Sequence, residues 1–184
     1  ALLTASDGVT LAPDVREKLT VSAREWAEAQ GAYASDRAVL VQALGDFVER
    51  YGTALPQANA EQHAAHKAFV PIAERVRGVE RQVGLLCKLA SRAVDACAAA
   101  VADERSLADA FDRRGVARLV KALDEVRQEV AAALNRVTYF HAQVEWLHRR
   151  FPDAELCDVP GLVKAVGREE IEAADWSLTP GRYV

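Results

Sequence analysis

The feature that most constrains the fold is the regular spacing of apolar residues between positions 116 and 151. Successive apolar residues alternate three and four positions apart over five heptads. Such a 3.5-residue repeat keeps one stripe of an α-helix facing a partner along its whole length. The pattern predicts a long helix over 116–150 with a coiled-coil-like seam, ended by Pro152. The seam residues are Val116, Leu119, Leu123, Val126, Val130, Ala133, Val137, Phe140, Val144, Leu147 and Phe151.

A second periodic series predicts a helix over 61–102. An interior proline removes a backbone hydrogen bond and clashes with the preceding turn, so we expect a kink or a restart near Phe69 to Pro71. The apolar residues of this series are Phe69, Ile72, Val76, Val79, Val83, Leu86, Ala90, Val94, Cys97 and Val101.

A heptad row in the first third of the chain predicts a helix over 14–51. Pro13 suits a first helical position, where its missing N–H costs nothing. Gly31 and Ser35 weaken the middle of the segment, which leaves open one bent helix or two helices in series. The row consists of Leu19, Trp26, Tyr33, Leu40 and Phe47, flanked by Val15, Leu44 and Tyr51.

Together the three segments predict an all-α fold. Richness in alanine and scarcity of glycine favour helices over a barrel or sandwich. We expect an elongated antiparallel bundle over residues 1–151 and a small irregular C-terminal cap over 152–184. Residues 103–115 should connect two helices through a short helical turn at 106–109. The residues expected to be nearly buried are Val83, Leu86, Val126, Val130 and Val137.

Charge and cysteine content narrow the function classes. The net charge of −4 argues against a chain that grips nucleic acid unaided. The longest strictly apolar run, Ala96 to Ala102, is too short to cross a membrane. Three cysteines argue against a disulfide framework, since Cys87 and Cys97 would lie roughly 15 Å apart on one helix. A cytoplasmic location is expected. The absence of methionine favours a piece of a longer protein.

No motif of an enzyme active site is found. Phosphate-binding glycine loops, Cys-x-x-Cys pairs and nucleophile elbows are all absent from the sequence. The best metal-like group is His141, Glu145 and His148, whose spacing puts them on one face of the third helix. Di-iron bundles need a second Glu-x-x-His pair, which the sequence lacks, so a polar flank beside the seam is the preferred interpretation. His63 and His66 are best explained by a solvated helix start.

A cluster of cations lies at the start of the third helix: Arg113, Arg114, Arg118 and Lys121. Cations at a helix N-terminus oppose the helix dipole, so an acidic partner or a phosphate could bind there. Neutralisation by Asp109, Asp112, Asp124 and Glu125 is the preferred alternative.

The C-terminal stretch carries the most specific pattern. Asp175 to Val184 reads DWSLTPGRYV, preceded by RFPDAEL from Arg150, VPGLVK from Val159 and EEIE from Glu169. Pro160-Gly161 and Thr179-Pro180-Gly181 predict turns, and Arg168 to Glu172 predicts a short helix. Over residues 139–184 the chain resembles the modification subunit of type I restriction-modification systems, an N6-adenine DNA methyltransferase. A looser similarity covers Leu85 to Arg92.

The resemblance implies a position in that subunit after the catalytic domain. The family's cofactor-binding glycine motif and its Asn-Pro-Pro-aromatic motif have no counterpart here, so no catalytic residue and no cofactor is expected in this chain. S-adenosylmethionine would bind elsewhere in the parent protein. The implied partners are the specificity subunit and the catalytic domain, with DNA reached through the assembly. Trp176, Arg182 and Tyr183 would join the Arg113 to Lys121 cluster as possible contacts. A free-standing helical adaptor and a metal-binding bundle remain as alternatives.

Overall fold

The computed structural model describes residues 12–103 and 112–183. Three long helices form the body of the molecule: α1 over Pro13–Tyr51, α2 over Asn59–Asp103 and α3 over Arg113–Arg150. A short helix, α4 over Arg168–Ala173, and a 3₁₀ turn over Pro180–Arg182 follow. The described ranges contain no strand, so the predicted all-α bundle with a small cap is confirmed. The helical turn predicted at 106–109 lies outside the described residues.

Helix α2 is the central helix, with α1 packed on one side and α3 on the other. Arg92 of α2 pairs with Glu25 of α1 at 3.2 Å, and Gln82 donates to Asp36. High residue numbers on α2 therefore face low numbers on α1, which makes the pair antiparallel. At 1.5 Å per residue, helices of 39, 45 and 38 residues span about 57 to 68 Å.

Two apolar clusters hold the bundle together. A small one joins Leu19 of α1 to Ala100 and Val101 at the far end of α2. A larger one contains Leu40 from α1 and Ile72, Val76 and Val79 from α2, with half-buried residues of all three helices packed around it. The larger cluster lies near the end of the bundle where α2 begins, so packing is densest there.

Helices α1 and α2 are continuous, and their predicted seams are confirmed. All five residues of the α1 heptad row are buried or half-buried, as are all ten of the α2 series. Helix α1 passes Gly31 and Ser35 as one helix. The restart expected at Pro71 is wrong, because α2 runs through it. Pro71 is exposed while its neighbours Ile72 and Ala73 are buried, so packing on both sides of α2 offsets the lost hydrogen bond.

The predicted seam of α3 is only half right. One row, which we call the Val116 row, is half-buried and consists of Val116, Leu123, Val130 and Val137. A second row, which we call the outer row, is exposed. The outer row consists of Leu119, Val126, Ala133, Phe140 and Leu147. Helix α3 instead packs on α2 through the Val116 row and an inner row next to it. The inner row consists of Val120, Arg127, Leu134, His141 and His148.

Because α3 packs on α2 through the Val116 row and the inner row, part of the predicted core is wrong. Val126 is 55% exposed, and Val83, Leu86, Val130 and Val137 are half-buried rather than nearly buried. The cause is the arrangement of the helices, since α3 has α2 as its main partner and its remaining surface stays open. A two-row seam on α3 would need a second helix along the outer row.

The turns and the short helix of the cap lie where the sequence predicts them. Pro160-Gly161 forms a turn between the bridged residues Val159 and Val163, with Gly161 at a φ of +75° that suits glycine. The short helix appears at Arg168–Ala173, and the final turn surrounds Pro180. In the described ranges no helix is long and apolar enough to cross a bilayer. The three cysteines are free thiols.

Candidate functional site

The three residues singled out as metal-like on α3 have different environments. His141 is buried, with 8% of its surface exposed, and His148 is half-buried. Glu145 is half-buried between them, and its carboxylate is held by Arg149 one turn on. The two histidines belong to the inner row, so they face α2 rather than the solvent. The interpretation of His141 and His148 as a polar flank beside the seam is therefore wrong.

All four histidines of the chain converge between α2 and α3, and we call this group the histidine cluster. The rings of His63 and His148 lie 4.0 Å apart between centroids, those of His66 and His141 4.7 Å, and those of His66 and His148 5.0 Å. His63 and His66 are half-buried, so the interpretation as a solvated helix start is wrong. An antiparallel hairpin of α2 and α3 brings position 63 opposite 148.

The histidine cluster is poorly supplied with hydrogen bonds. His63 Nε2 is 2.7 Å from the Pro152 carbonyl, which also accepts from Asn59 Nδ2 at 2.7 Å. By contrast, His66 Nε2, His148 Nδ1 and both ring nitrogens of His141 are buried without a partner in the described part of the chain. A buried polar atom without a partner costs about 1 to 3 kcal/mol. Several such atoms in one place make the cluster a candidate binding site rather than ordinary packing.

Burial and neighbouring positive groups lower the pKa of His141 and His148, which favours their neutral forms. The pKa of His141 is lowered chiefly by burial, then by His66, with Glu145 opposing the shift and Arg77 adding to it. The pKa of His148 is lowered by burial and by His63 and His66. Neutral imidazoles keep a lone pair on one ring nitrogen, which is the form that binds a metal ion or accepts a hydrogen bond.

An apolar groove of about 450 Å³ opens beside the histidine cluster. Phe47 of α1 and Phe69 of α2 form one wall, and Phe140 and Val144 of α3 form the other. His66, His141 and His148 also line it. In their present positions, no group of three His, Cys, Asp or Glu side chains within 12–103 and 112–183 is arranged to hold a metal ion. The rings stack on one another instead of pointing at a common centre.

The outer row of α3 forms a second candidate site. Leu119 is 71% exposed, Phe140 63% and Leu147 49%. At 1.5 Å per residue, the row from 119 to 147 extends roughly 42 Å along the helix. Single exposed apolar residues are normal on a protein surface, but a continuous line at heptad spacing is the pattern that binds another helix.

The predicted basic cluster is exposed and only partly neutralised. Lys121 pairs with Glu125 at 3.7 Å. Asp112 instead caps α3 by accepting from the Gly115 amide, and Asp124 binds Arg127. Arg113, Arg114 and Arg118 have no carboxylate within 4 Å among the residues that the structure describes, and Asp109 lies outside them. These arginines adjoin Leu119 at one end of the outer row.

Some of the predicted cap residues make contacts within the cap, and others are exposed on its surface. Arg182 donates to the Ala174 carbonyl at 3.1 Å, and the Tyr183 hydroxyl donates to the Ser177 carbonyl. Both side chains therefore stabilise the cap itself. Trp176 is 55% exposed, with the Arg168 guanidinium 5.6 Å from its ring centre, and Leu178 is 77% exposed. Together with Leu156 and Leu162, these two side chains give the cap an exposed apolar surface.

Comparison with known proteins gives no identification: no family model matches the chain, and no curated protein or solved structure matches it. The class of the protein is therefore defined by its fold alone, as a long three-helix bundle with a cap.

Proposed function

We propose that the chain is a protein-docking module of a type I modification subunit, and that the outer row of α3 binds a helix of the specificity subunit. The observation that carries the proposal is the exposed apolar line from Leu119 to Leu147, which lies along a helix of regular heptad pattern. A second helix along this line would complete the two-row seam that the sequence of α3 encodes.

The charge of the molecule favours a protein partner. With a net charge of −4, the chain has no overall electrostatic attraction for nucleic acid, and each phosphate contact needs a cation. The cations without a nearby carboxylate are local, at Arg113, Arg114 and Arg118. A partner helix with acidic residues at one end and apolar residues at heptad spacing would complement both features.

The identity of the partner rests on the resemblance over residues 139–184. That resemblance implies a position after the catalytic domain and before a helical tail that meets the specificity subunit. The exposed Trp176 and Leu178 would face the catalytic domain of the same subunit. The bundle would then set the distance between the catalytic and specificity parts of the assembly.

Co-expression with the specificity subunit of a type I system tests the proposal. The wild-type chain should co-purify with it, and Val126→Glu and Phe140→Glu should each abolish the complex, because a carboxylate cannot be buried in an apolar seam without a partner. Both sites are exposed, so the thermal midpoint of the isolated chain should hardly change.

Val41→Glu is a matched control, because Val41 on α1 is 57% exposed and Val126 on α3 is 55% exposed. It should leave the complex intact. The partner assignment is wrong if no complex forms, or if light scattering shows that the chain alone is a dimer which Phe140→Glu converts to a monomer. Loss of the complex with Val41→Glu as well would show that the outer row is not the specific surface.

A further inference from the structure

The histidine cluster has a feature that neither core packing nor a docking surface requires. Four histidines from two helices, separated in sequence by as many as 85 positions, meet at one place. Four of their ring nitrogens are buried and have no partner within residues 12–103 and 112–183. An apolar core would be better served by leucine at these positions, since it carries no polar atom. We propose that the histidine cluster binds one Zn²⁺ ion or a similar divalent transition metal ion through imidazole nitrogens.

The spacing of the rings fits a shared ion. Two imidazoles bound to one tetrahedral Zn²⁺ through bonds of about 2.1 Å have ring centres roughly 5 Å apart. The His66 ring lies 5.0 Å from that of His148 and 4.7 Å from that of His141, while the His63 and His148 rings lie closer, at 4.0 Å. Two of these three ring pairs are therefore close to coordination distance, and the nitrogens of the rings do not point at a common centre.

Coordination requires the rings to turn from stacking to convergence. The groove beside the cluster provides space for this movement, since His66, His141 and His148 line it. Binding would give one buried nitrogen of each of His66, His141 and His148 a partner, and the free energy that its burial without a partner costs would favour the turn. Helices α2 and α3 already hold the backbone of the four histidines close together, so only the side chains would have to turn.

The surroundings assign roles to the individual residues. His63 contacts the Pro152 carbonyl through Nε2, which leaves Nδ1 as the lone-pair nitrogen, and a backbone carbonyl on the second ring nitrogen is the usual support of a metal-bound histidine. His63 and His66 lie on adjacent turns of α2, His148 faces both of them from α3, and His141 stacks on His66 as the fourth imidazole. Glu145 is engaged by Arg149, so it is not a ligand. Four imidazoles favour zinc, copper or nickel over magnesium or calcium.

Metal titration of the full, untagged chain tests the proposal. After chelator treatment and dialysis, Zn²⁺ measured by calorimetry should bind with a stoichiometry of one and a Kd below about 1 µM. Co²⁺ should give the intense visible spectrum of a tetrahedral site. Because the chain has only four histidines, imidazole NMR signals should identify the ligands directly, with all four shifting on addition of Zn²⁺.

The double variant His66→Phe, His148→Phe should bind at least about a hundredfold more weakly, while phenylalanine keeps the site filled and the helical circular dichroism unchanged. Glu145→Gln is the control and should bind like wild type. A wild-type chain with no tight site, or a double variant that binds as tightly as wild type, would overturn the proposal. So would a Co²⁺ spectrum of an octahedral, water-rich ion. None of these outcomes bears on docking at the outer row.

Discussion

Helices α2 and α3 carry the same kind of apolar repeat, but only α2 buries all of it. The ten seam residues of α2 are buried or half-buried, whereas the outer row of α3 is exposed. Helix α2 lies between two neighbours and α3 lies chiefly against one. The period of a pattern therefore identifies a helix, but the number of neighbours decides how wide a face is covered.

The largest expected change in stability comes from a substitution in the central core, and the matching substitution in the outer row should have little effect. Ile72→Ala should lower the free energy of unfolding by about 2 to 5 kcal/mol, because a buried side chain is removed and a cavity is left. Leu119→Ala removes a leucine side chain that is 71% exposed, and it should change stability by less than about 0.5 kcal/mol. Urea denaturation of both variants measures the difference. Equal losses would show that Leu119 is covered in solution.

Pro71 provides a second test of how firmly α2 is held. Pro71→Ala should raise the free energy of unfolding by about 1 to 3 kcal/mol, since alanine restores a backbone donor within an exposed helical position. Thermal unfolding followed by circular dichroism measures the gain. Ala68→Ser, at an exposed position one turn earlier, is a control for which little change is expected. A loss of stability on removing the proline would mean that its ring makes a needed contact.

The start of α3 is expected to be more sensitive than its outer row. Asp112 accepts a hydrogen bond from the Gly115 amide at 2.9 Å, so Asp112→Ala should cost about 1 kcal/mol. Asp112→Asn retains the acceptor and should cost less, which separates the cap from simple charge. Chemical denaturation distinguishes the two variants. If alanine and asparagine behave alike, the hydrogen bond contributes nothing to stability.

Much of the fold could be predicted from sequence, and the exceptions have a common cause. The α1 row from Leu19 to Phe47 is apolar throughout, so its burial could be read from the pattern. The inner row of α3 contains Arg127, His141 and His148, which no apolar pattern selects, so the sequence pattern favours the neighbouring outer row. The continuity of α2 at Pro71 depends on tertiary packing that outweighs a local preference.

The histidine cluster could have been found only by combining two signals. Each pair of histidines is weak evidence alone, because i, i+3 pairs are common on solvated helices. Antiparallel packing of α2 and α3 places residues 63–66 opposite the end of α3, which brings the two pairs together. The orientation of α3 around its axis then decides whether His141 and His148 face α2, and that orientation comes from packing.

The pH dependence of stability should arise at the interface of α2 and α3, since all four histidines lie there and none lies between α1 and α2. His141 and His148 have lowered pKa values in the folded chain, so the unfolded chain binds more protons below about pH 6.5. Their neutral forms support the full stability above that pH. With chelator present, stability should fall as the pH drops from about 6.5 toward the lowered pKa values and level off below them. Glu145, which faces His141, opposes the effect, while Arg77 adds to it.

Urea midpoints between pH 5 and 8 measure this smallest of the four effects. His141→Phe should flatten the pH profile, because it removes the most deeply buried imidazole and keeps an aromatic ring against Phe69, whose ring centre lies 5.8 Å from that of His141. Glu145→Gln should steepen the profile, since the carboxylate that favours the protonated ring is removed. A profile unchanged by both variants would place the pH dependence in the carboxylates of the surface, and the α2–α3 interface would then respond to acid no differently from that of α1 and α2.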